Sequence, residues 1–331
     1  VPLGLIGIVA ALLILVEKTP AQRSISIDWL GSGLYLVALM ALMTSLAFGG
    51  LYGWTTWWVV GGFVLFFVLM PIFVFVESRV RTPILDLSLF RDRLFTMGNL
   101  TGLLNGVARN SVLFLLVFYL QGVRGSDPVT AGIQLAPLAI GLLVLSPISG
   151  VLADRYGSRE LATLGMLVTA AGLAGLLTLQ VDTPYWQLAL WQLIIGAGSG
   201  LFNSPNTSAV MGVIPPAKRG IGAGTRAMLT NTGFVLSIAL AIGLMTSAMD
   251  PKVLVAVFSG TQTGTAGIDM GPFMDALHIA FAAGVVASLI GAAISMLRGG
   301  HRSWEEEPSL EARDELAAES LIGDAEAGAS I

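Results

Sequence analysis

Asp154, Arg155 and Arg159 stand together in a short polar stretch, Gly150-Val-Leu-Ala-Asp-Arg-Tyr-Gly-Ser-Arg159. On either side of it lie uncharged runs, Pro128 to Ala153 and Leu161 to Val181. An acid beside two bases can form a charge latch that is made in one conformation and broken in another. Gly150 and Gly157 supply the room and the backbone freedom that a tight turn at such a latch requires. Asp154 would face helix N-termini and be held by the neighbouring arginines. This is gating, with no covalent chemistry on a substrate. The competing reading is plainer: a hairpin between two spans collects bases for topology and an acid by chance.

Arg109 is the second group of interest. It falls near the middle of an apolar stretch from Phe95 to Leu120, with Asn105 and Asn110 close by. An arginine at the centre of a membrane helix costs about 2.5–3.5 kcal/mol on insertion scales, so it needs a cavity or a partner. It could serve as counter-charge to an anionic substrate group or to a carboxylate elsewhere in the protein. Equally, it could be a structural contact inside a bundle. Gln134, Asn203, Asn206 and Asn231 are polar positions in apolar runs. They could line a cavity with Asn105, or make interhelical hydrogen bonds worth about 0.6 kcal/mol each. His278 is read as an interfacial bystander, and Gly196, Gly198 and Gly200 as positions of close helix packing. Tyr119, Trp191 and Phe202 could offer aromatic contacts to a lipophilic molecule, or simply pack in the core.

Other chemistries find little support. The 331 residues include no cysteine and two histidines, so a thiolate metal site, a Cys nucleophile and a disulfide framework are excluded, and no metal or cofactor is expected. No HExxH, GxSxG or phosphate-binding loop occurs, and no basic patch suits nucleic acid. An enzyme is not expected.

Hydrophobic residues make up 55% and charged residues 11%, against about 25% charged in a soluble domain. The charges cluster between long apolar runs, and roughly 20 residues suffice for a helix to cross the hydrocarbon core. These features predict an all-α, polytopic membrane bundle of about nine transmembrane helices. The expected spans are Leu3–Val16, Trp29–Phe48, Thr55–Val76, Phe95–Leu120, Val129–Leu152, Leu161–Leu179, one beginning near Trp186, Gly224–Ala248 and Phe273–Leu297. Asp28 is placed to cap a helix, and Gly49-Gly50 with Gly53 to form the turn between the second and third spans. Residues 77–93 read as a connector along the membrane surface, and 298–331 as an acidic, solvated tail. No acid is expected at membrane depth. Bases including Lys18, Arg79, Arg155, Arg159, Lys218 and Arg298 fall on one side of such a topology, and only Arg124 and Lys252 on the other. By the positive-inside rule the first side, and the tail, are cytoplasmic.

The pattern Gly-x-Leu-x-Asp-Arg-x-Gly-x-Arg at Gly150 to Arg159 resembles the signature loop of the major facilitator superfamily of transporters. Val1-Pro2-Leu3-Gly4, Asp28-Trp29-Leu30-Gly31, and Tyr119-Leu120-Gln121 with Gly125, Ala131-Gly132 and Pro137 resemble parts of its fourteen-span drug:proton antiporters. That resemblance implies the C-terminal half of such a fold: residues 1–16 as the last helix of the N-terminal domain, 28–76 as a linking hairpin and 94–297 as a six-helix transport domain. It implies multidrug efflux by alternating access in the cell membrane, with a lipophilic small molecule and a proton as partners. The N-terminal half and the proton-coupling carboxylates would lie outside this sequence. Export of an endogenous lipid or siderophore, and an inactive truncated fragment or scaffold, are the alternatives.

Overall fold

The uncharged runs become long helices, because a backbone surrounded by hydrocarbon must satisfy its own polar groups. The computed structural model describes residues 28–80, 83–248 and 270–298. In chain order the helices are α1 (Trp29–Tyr52), α2 (Trp57–Glu77), α3 (Arg93–Phe118), α4 (Pro128–Gln134), α5 (Ala136–Tyr156), α6 (Ser158–Leu176), α7 (Tyr185–Gly212), α8 (Arg219–Ala248) and α9 (Gly271–Leu297). No strand occurs among the described residues. The expected span Leu3–Val16, the tail beyond Arg298 and most of the loop before α9 lie outside them.

Seven stretches are long and apolar enough to cross a membrane: α1, α2, α3 with the turn after it, α4 together with α5, α6, α8 and α9. The seventh expected span, α7, has the length but not the hydropathy. It carries Gln192, Ser199 and Asn206, all buried, and packs most extensively against α5 and α6. A helix enclosed by its neighbours has no need to match lipid, and so tolerates this polarity.

Small residues set how closely these helices approach. A Cβ added at Gly196 would sit 2.0 Å from the Leu138 carbonyl oxygen of α5. One at Gly198 would lie 2.5 Å from the Thr169 nitrogen of α6, and one at Gly165 of α6 would meet the Phe202 nitrogen of α7 at 2.5 Å. The backbones touch with no side chain between them, as membrane helices do where packing drives association. Around this contact a core of Val112, Leu115, Leu116, Leu173, Ile195, Phe273, Leu277 and Phe281 joins α3, α6, α7 and α9.

The α1–α2 pair leans on α8. The Tyr35 and Thr232 hydroxyls bond each other, and a Cβ on Gly243 would lie 2.4 Å from the Leu46 carbonyl oxygen. Much of the remaining surface of the pair is apolar and exposed, including Trp29, Trp57 and Phe67, as suits contact with lipid. Asp28 caps α1 as expected, accepting from the Gly31 N–H at 2.8 Å.

One local expectation needs correction, and two others gain detail. The turn after α1 is not at Gly49-Gly50, which are helical. Gly49 lies against the Trp54 ring and Gly50 against Thr246 and Ser247, and only Gly53, at φ 92°, bends the chain. The connector also docks onto the bundle. Its short 3₁₀ turn, Leu87–Arg91, packs Leu89 and Phe90 with Phe95 against Val210 and Ile214 at the end of α7. Four acids fall within span-length helices, all near their ends: Glu77 as the last residue of α2, Asp154 in the last turn of α5, Glu160 in the first turn of α6 and Asp275 in the second turn of α9.

Two predictions follow from this packing. Gly196→Ala and Gly198→Ala should each destabilise the bundle by about 1–3 kcal/mol, the usual cost of overpacking, read as a lowered midpoint of thermal unfolding in detergent. The second concerns the connector, where Lys218 Nζ lies 2.8 Å from Asp86 Oδ2, and the Ser88 N–H donates to Asp86 Oδ1 at 2.9 Å. Partial burial pushes the Asp86 carboxyl up, but Lys218 and Ser88 together hold it below its ordinary value. Because the folded pKa is depressed, the contribution is full at neutral pH and disappears as pH falls below about 4. Asp86→Asn should therefore cost less than about 1 kcal/mol at pH 7, Lys218 being 42% exposed, and progressively less as the pH is lowered below about 4.

Candidate functional site

The polar stretch between α5 and α6 is nearly all helix. α5 runs through Asp154 and Arg155 to Tyr156, α6 starts at Ser158, and the turn between them is Gly157 alone. Its φ of 93° is open to glycine and strained for other residues, and its N–H closes α5 by bonding the Ala153 carbonyl at 2.9 Å. A Cβ on Gly150 would come 3.0 Å from Ser204 Oγ, so α5 reaches α7 at that level too.

Asp154, Arg155 and Arg159 are all exposed. Asp154 makes no ion pair with either arginine; among the described residues the one salt bridge is Lys218–Asp86. The expectation that the neighbouring arginines hold Asp154 is therefore corrected. Asp154 and Arg155 are adjacent on a helix and diverge by about 100°. Arg159 follows the Gly157 turn on a separate helix.

What holds this turn is a residue read in the sequence only as a topological base. Arg298, the residue after α9, is 1% exposed. Its Nη1 donates to Asn206 Oδ1 of α7 at 2.9 Å, and its Nη2 donates to the Ser158 carbonyl that opens α6. Asn206 in turn donates from Nδ2 to the Gly98 carbonyl of α3 at 3.0 Å. One guanidinium and one amide thus tie α9, α6, α7 and α3 at the same end of the bundle. Burial lowers the Arg298 pKa to about 10, with Glu160 opposing the shift and Arg159 adding to it, so the side chain stays charged at neutral pH. Its position just past an apolar span was the only sequence cue, and that cue does not distinguish a buried base from a solvated one.

Arg109 lies in the middle of α3, half-buried. Its Nε is shut off from solvent without a hydrogen-bond partner, and the side chain has no ion pair among the described residues. Asn105, one turn earlier on the same helix, is buried and directs Nδ2 at Met166 Sδ of α6, 3.4 Å away. The remaining polar positions do not converge on Arg109. Gln134 is at the end of α4, where its Oε1 accepts from Ser126 at 3.2 Å and its carbonyl from Gln192 at 3.1 Å. Asn203 bonds back to the Ser199 carbonyl of its own helix at 2.9 Å. Asn231 is exposed on α8. His278 lies 2.8 Å from the Leu179 carbonyl, and Tyr119, fully buried, donates to the Gln180 carbonyl at 2.6 Å. Phe202 is likewise in the core.

The bundle of membrane-length helices, with its polar residues serving to join helices, defines a multi-pass membrane protein. The sequence model of the Major Facilitator Superfamily matches residues 3–238, and the chain belongs to that family, one of transporters and not of enzymes. The chain is 33% identical over 215 residues to an uncharacterized MFS-type transporter of Bacillus subtilis, covering 65% of this chain and 40% of that protein. To the tetracenomycin C resistance and export protein of Streptomyces glaucescens it is 30% identical over 247 residues, 75% of this chain and 46% of that protein. To multidrug resistance protein 3 of B. subtilis it is 28% identical over 252 residues, 76% and 49%. The chain thus spans less than half the length of each of these relatives.

The buried tie at Arg298 is directly testable. Arg298→Ala leaves Asn206 Oδ1 and the Ser158 carbonyl without their donor, and hydrogen bonds from a charged group are worth about 1.5–3 kcal/mol each. The variant should unfold at lower temperature, and limited proteolysis should cut faster near Gly157. Arg298→Lys should recover only part of the loss, since an ammonium lacks the planar fork that reaches two acceptors.

Proposed function

We propose that this chain is the C-terminal region of a proton-driven multidrug exporter of the cell membrane, of the fourteen-span kind, working by alternating access. On this reading α3 to α9 form one six-span half, α1 and α2 are the linking hairpin, and the other half comes from residues outside this sequence. The observation that carries transport is Arg109: an unpaired guanidinium halfway along a membrane helix is costly unless something charged or wet meets it there. An anionic group of the substrate, or a carboxylate of the other half, is the partner that it lacks within the described residues. Export of drugs as cargo draws on relatives whose names describe resistance or multidrug transport.

In this reading Asn105, one turn from Arg109 on the same helix, lines the path with it, while Gln134, Asn203 and Asn206 are structural ties. The exposed Asp154, with Arg155, Arg159, Gly150 and Gly157, forms the gate. Its counterpart is a helix of the other half, so Asp154 has no ion pair among the described residues. The gate and the tail lie on the cytoplasmic side, where the bases gather. A second reading, transport of a polar metabolite, has one support: the riboflavin transporter RibZ of Clostridioides difficile is 32% identical over 163 residues.

The full-length protein, expressed in cells stripped of their own drug exporters, should lower the accumulation of a lipophilic fluorescent dye. Arg109→Ala and Asp154→Asn should each slow initial export by about tenfold or more, equivalent to some 1.4 kcal/mol, with the protein still reaching the membrane. Dye accumulation that is the same with and without the protein would count against export. Uptake or release of riboflavin in its place would favour the second reading.

A further inference from the structure

Asp28 and Glu77 meet at the end of the α1–α2 pair remote from its turn. Both are acids, and both are more than nine-tenths buried, at 8% and 3% exposure. Each uses one carboxyl oxygen to hold the backbone: Asp28 Oδ1 accepts from the Gly31 N–H at 2.8 Å, and Glu77 Oε2 from the Leu85 N–H at 3.2 Å. Each leaves its other oxygen, Asp28 Oδ2 and Glu77 Oε1, sealed from solvent with no hydrogen-bond partner. The two free oxygens point into the same space. A Cβ added at Gly31 would stand 2.5 Å from Asp28 Oδ2 and 2.7 Å from Glu77 Oε1. They are therefore no more than roughly 5 Å apart, close enough for one carboxylate to oppose ionisation of the other.

Among the described residues the bases around this end of the pair are engaged elsewhere or exposed, Lys18 and Arg23 lying outside them. Arg79 lies over the Phe75 ring, 4.9 Å from its centroid. Lys218, in the short turn before α8, is paired with Asp86 of the connector, and Arg226 of α8 donates to Thr207 of α7. Arg91, Arg93 and Arg219 are exposed. Where α8 meets the connector, it contributes the uncharged Thr225 hydroxyl, 3.4 Å from the Ile84 carbonyl. Arg81 falls outside the described residues. Among the described residues no group of three ligating side chains suits a metal ion, so two acids with two free oxygens fit the smallest cation, a proton.

We propose that Asp28 and Glu77 form a proton-binding site: the pair carries one proton, which the protonated carboxyl donates to the free oxygen of the other after a small side-chain rotation. Gly31 provides the room in which the two oxygens meet. The site is on the hairpin and away from Arg109, so it stands or falls independently of the drug-export reading.

The test is chemical labelling of the full-length protein in lipid nanodiscs with dicyclohexylcarbodiimide, which attacks protonated carboxyls in apolar surroundings. Peptide mass spectrometry should find the adduct on Glu77 or Asp28 at pH 6, and labelling should fall by about tenfold or more by pH 9. In Asp28→Asn, with the opposing charge gone, the pH at which Glu77 labelling halves should move down by about one unit or more. No adduct on either residue, or a midpoint unmoved in Asp28→Asn, would overturn the proposal. So would loss of the adduct in sodium or calcium chloride but not in choline chloride at equal ionic strength, which would make the site one for a metal ion. Infrared difference spectra of the unmodified protein provide a check that needs no variant. The carbonyl band of a protonated carboxyl should fade over the same pH range in the wild type, and its absence there would also overturn the pair.

Discussion

Backbone contact at α7 is the constraint on which the rest of this bundle depends. Inside a membrane the hydrophobic effect does not drive helices together, so association falls to close packing and to the few polar groups available. Gly196 and Gly198 bring α7 against the backbones of α5 and α6, and Gly165 answers from the α6 side. With α7 enclosed in this way, its Gln192, Ser199 and Asn206 are removed from lipid, and the chain can use one of them as a joint. Asn206 then links α3 to Arg298, and Arg298 reaches the start of α6.

Polar groups in this setting follow two patterns. Some are satisfied within their own helix: Asn110 bonds the Gly106 carbonyl and Asn203 that of Ser199, each one turn back. Such residues are cheap to bury and say little about function. Others have unmet demands. Among the described residues Arg109 Nε, Asp28 Oδ2 and Glu77 Oε1 are sealed from solvent without partners, as are atoms of Asn99, Trp191, Gln192, Ser199, Ser288, Ser295 and Arg298. Burying a polar group without a hydrogen bond is costly, and most so for an ionisable one, so Arg109, Asp28 and Glu77 carry more functional weight than the hydrogen-bonded asparagines.

The long elements were legible in the sequence because each rests on a local property. Uncharged runs of membrane length became helices, Asp28 became a cap, and the signature stretch at Gly150 to Arg159 pointed to the family that residues 3–238 match. The breaks were less legible. Gly49 and Gly50 read as a turn, yet they are helical and serve close approach, because a glycine marks either use equally well. The charged stretch around Asp154 read as a loop, yet one residue, Gly157, suffices to reverse the chain, since a helix ending in water carries charges without unwinding.

Sequence alone determined that this protein is a chain of apolar helices separated by charged or glycine-containing turns, because hydrocarbon admits few other arrangements of backbone and charge. Tertiary structure alone decided which polar residues are tied and which are left over. Arg298 and Arg109 look alike as single bases in or beside apolar runs. One meets Asn206 and the Ser158 carbonyl across three helices, while the other meets no such partner. Asp28 and Glu77 lie at opposite ends of two spans and come together only when the helices fold back on each other. Pairing over such separations is fixed by the packing of whole helices, and no local pattern of residues encodes it.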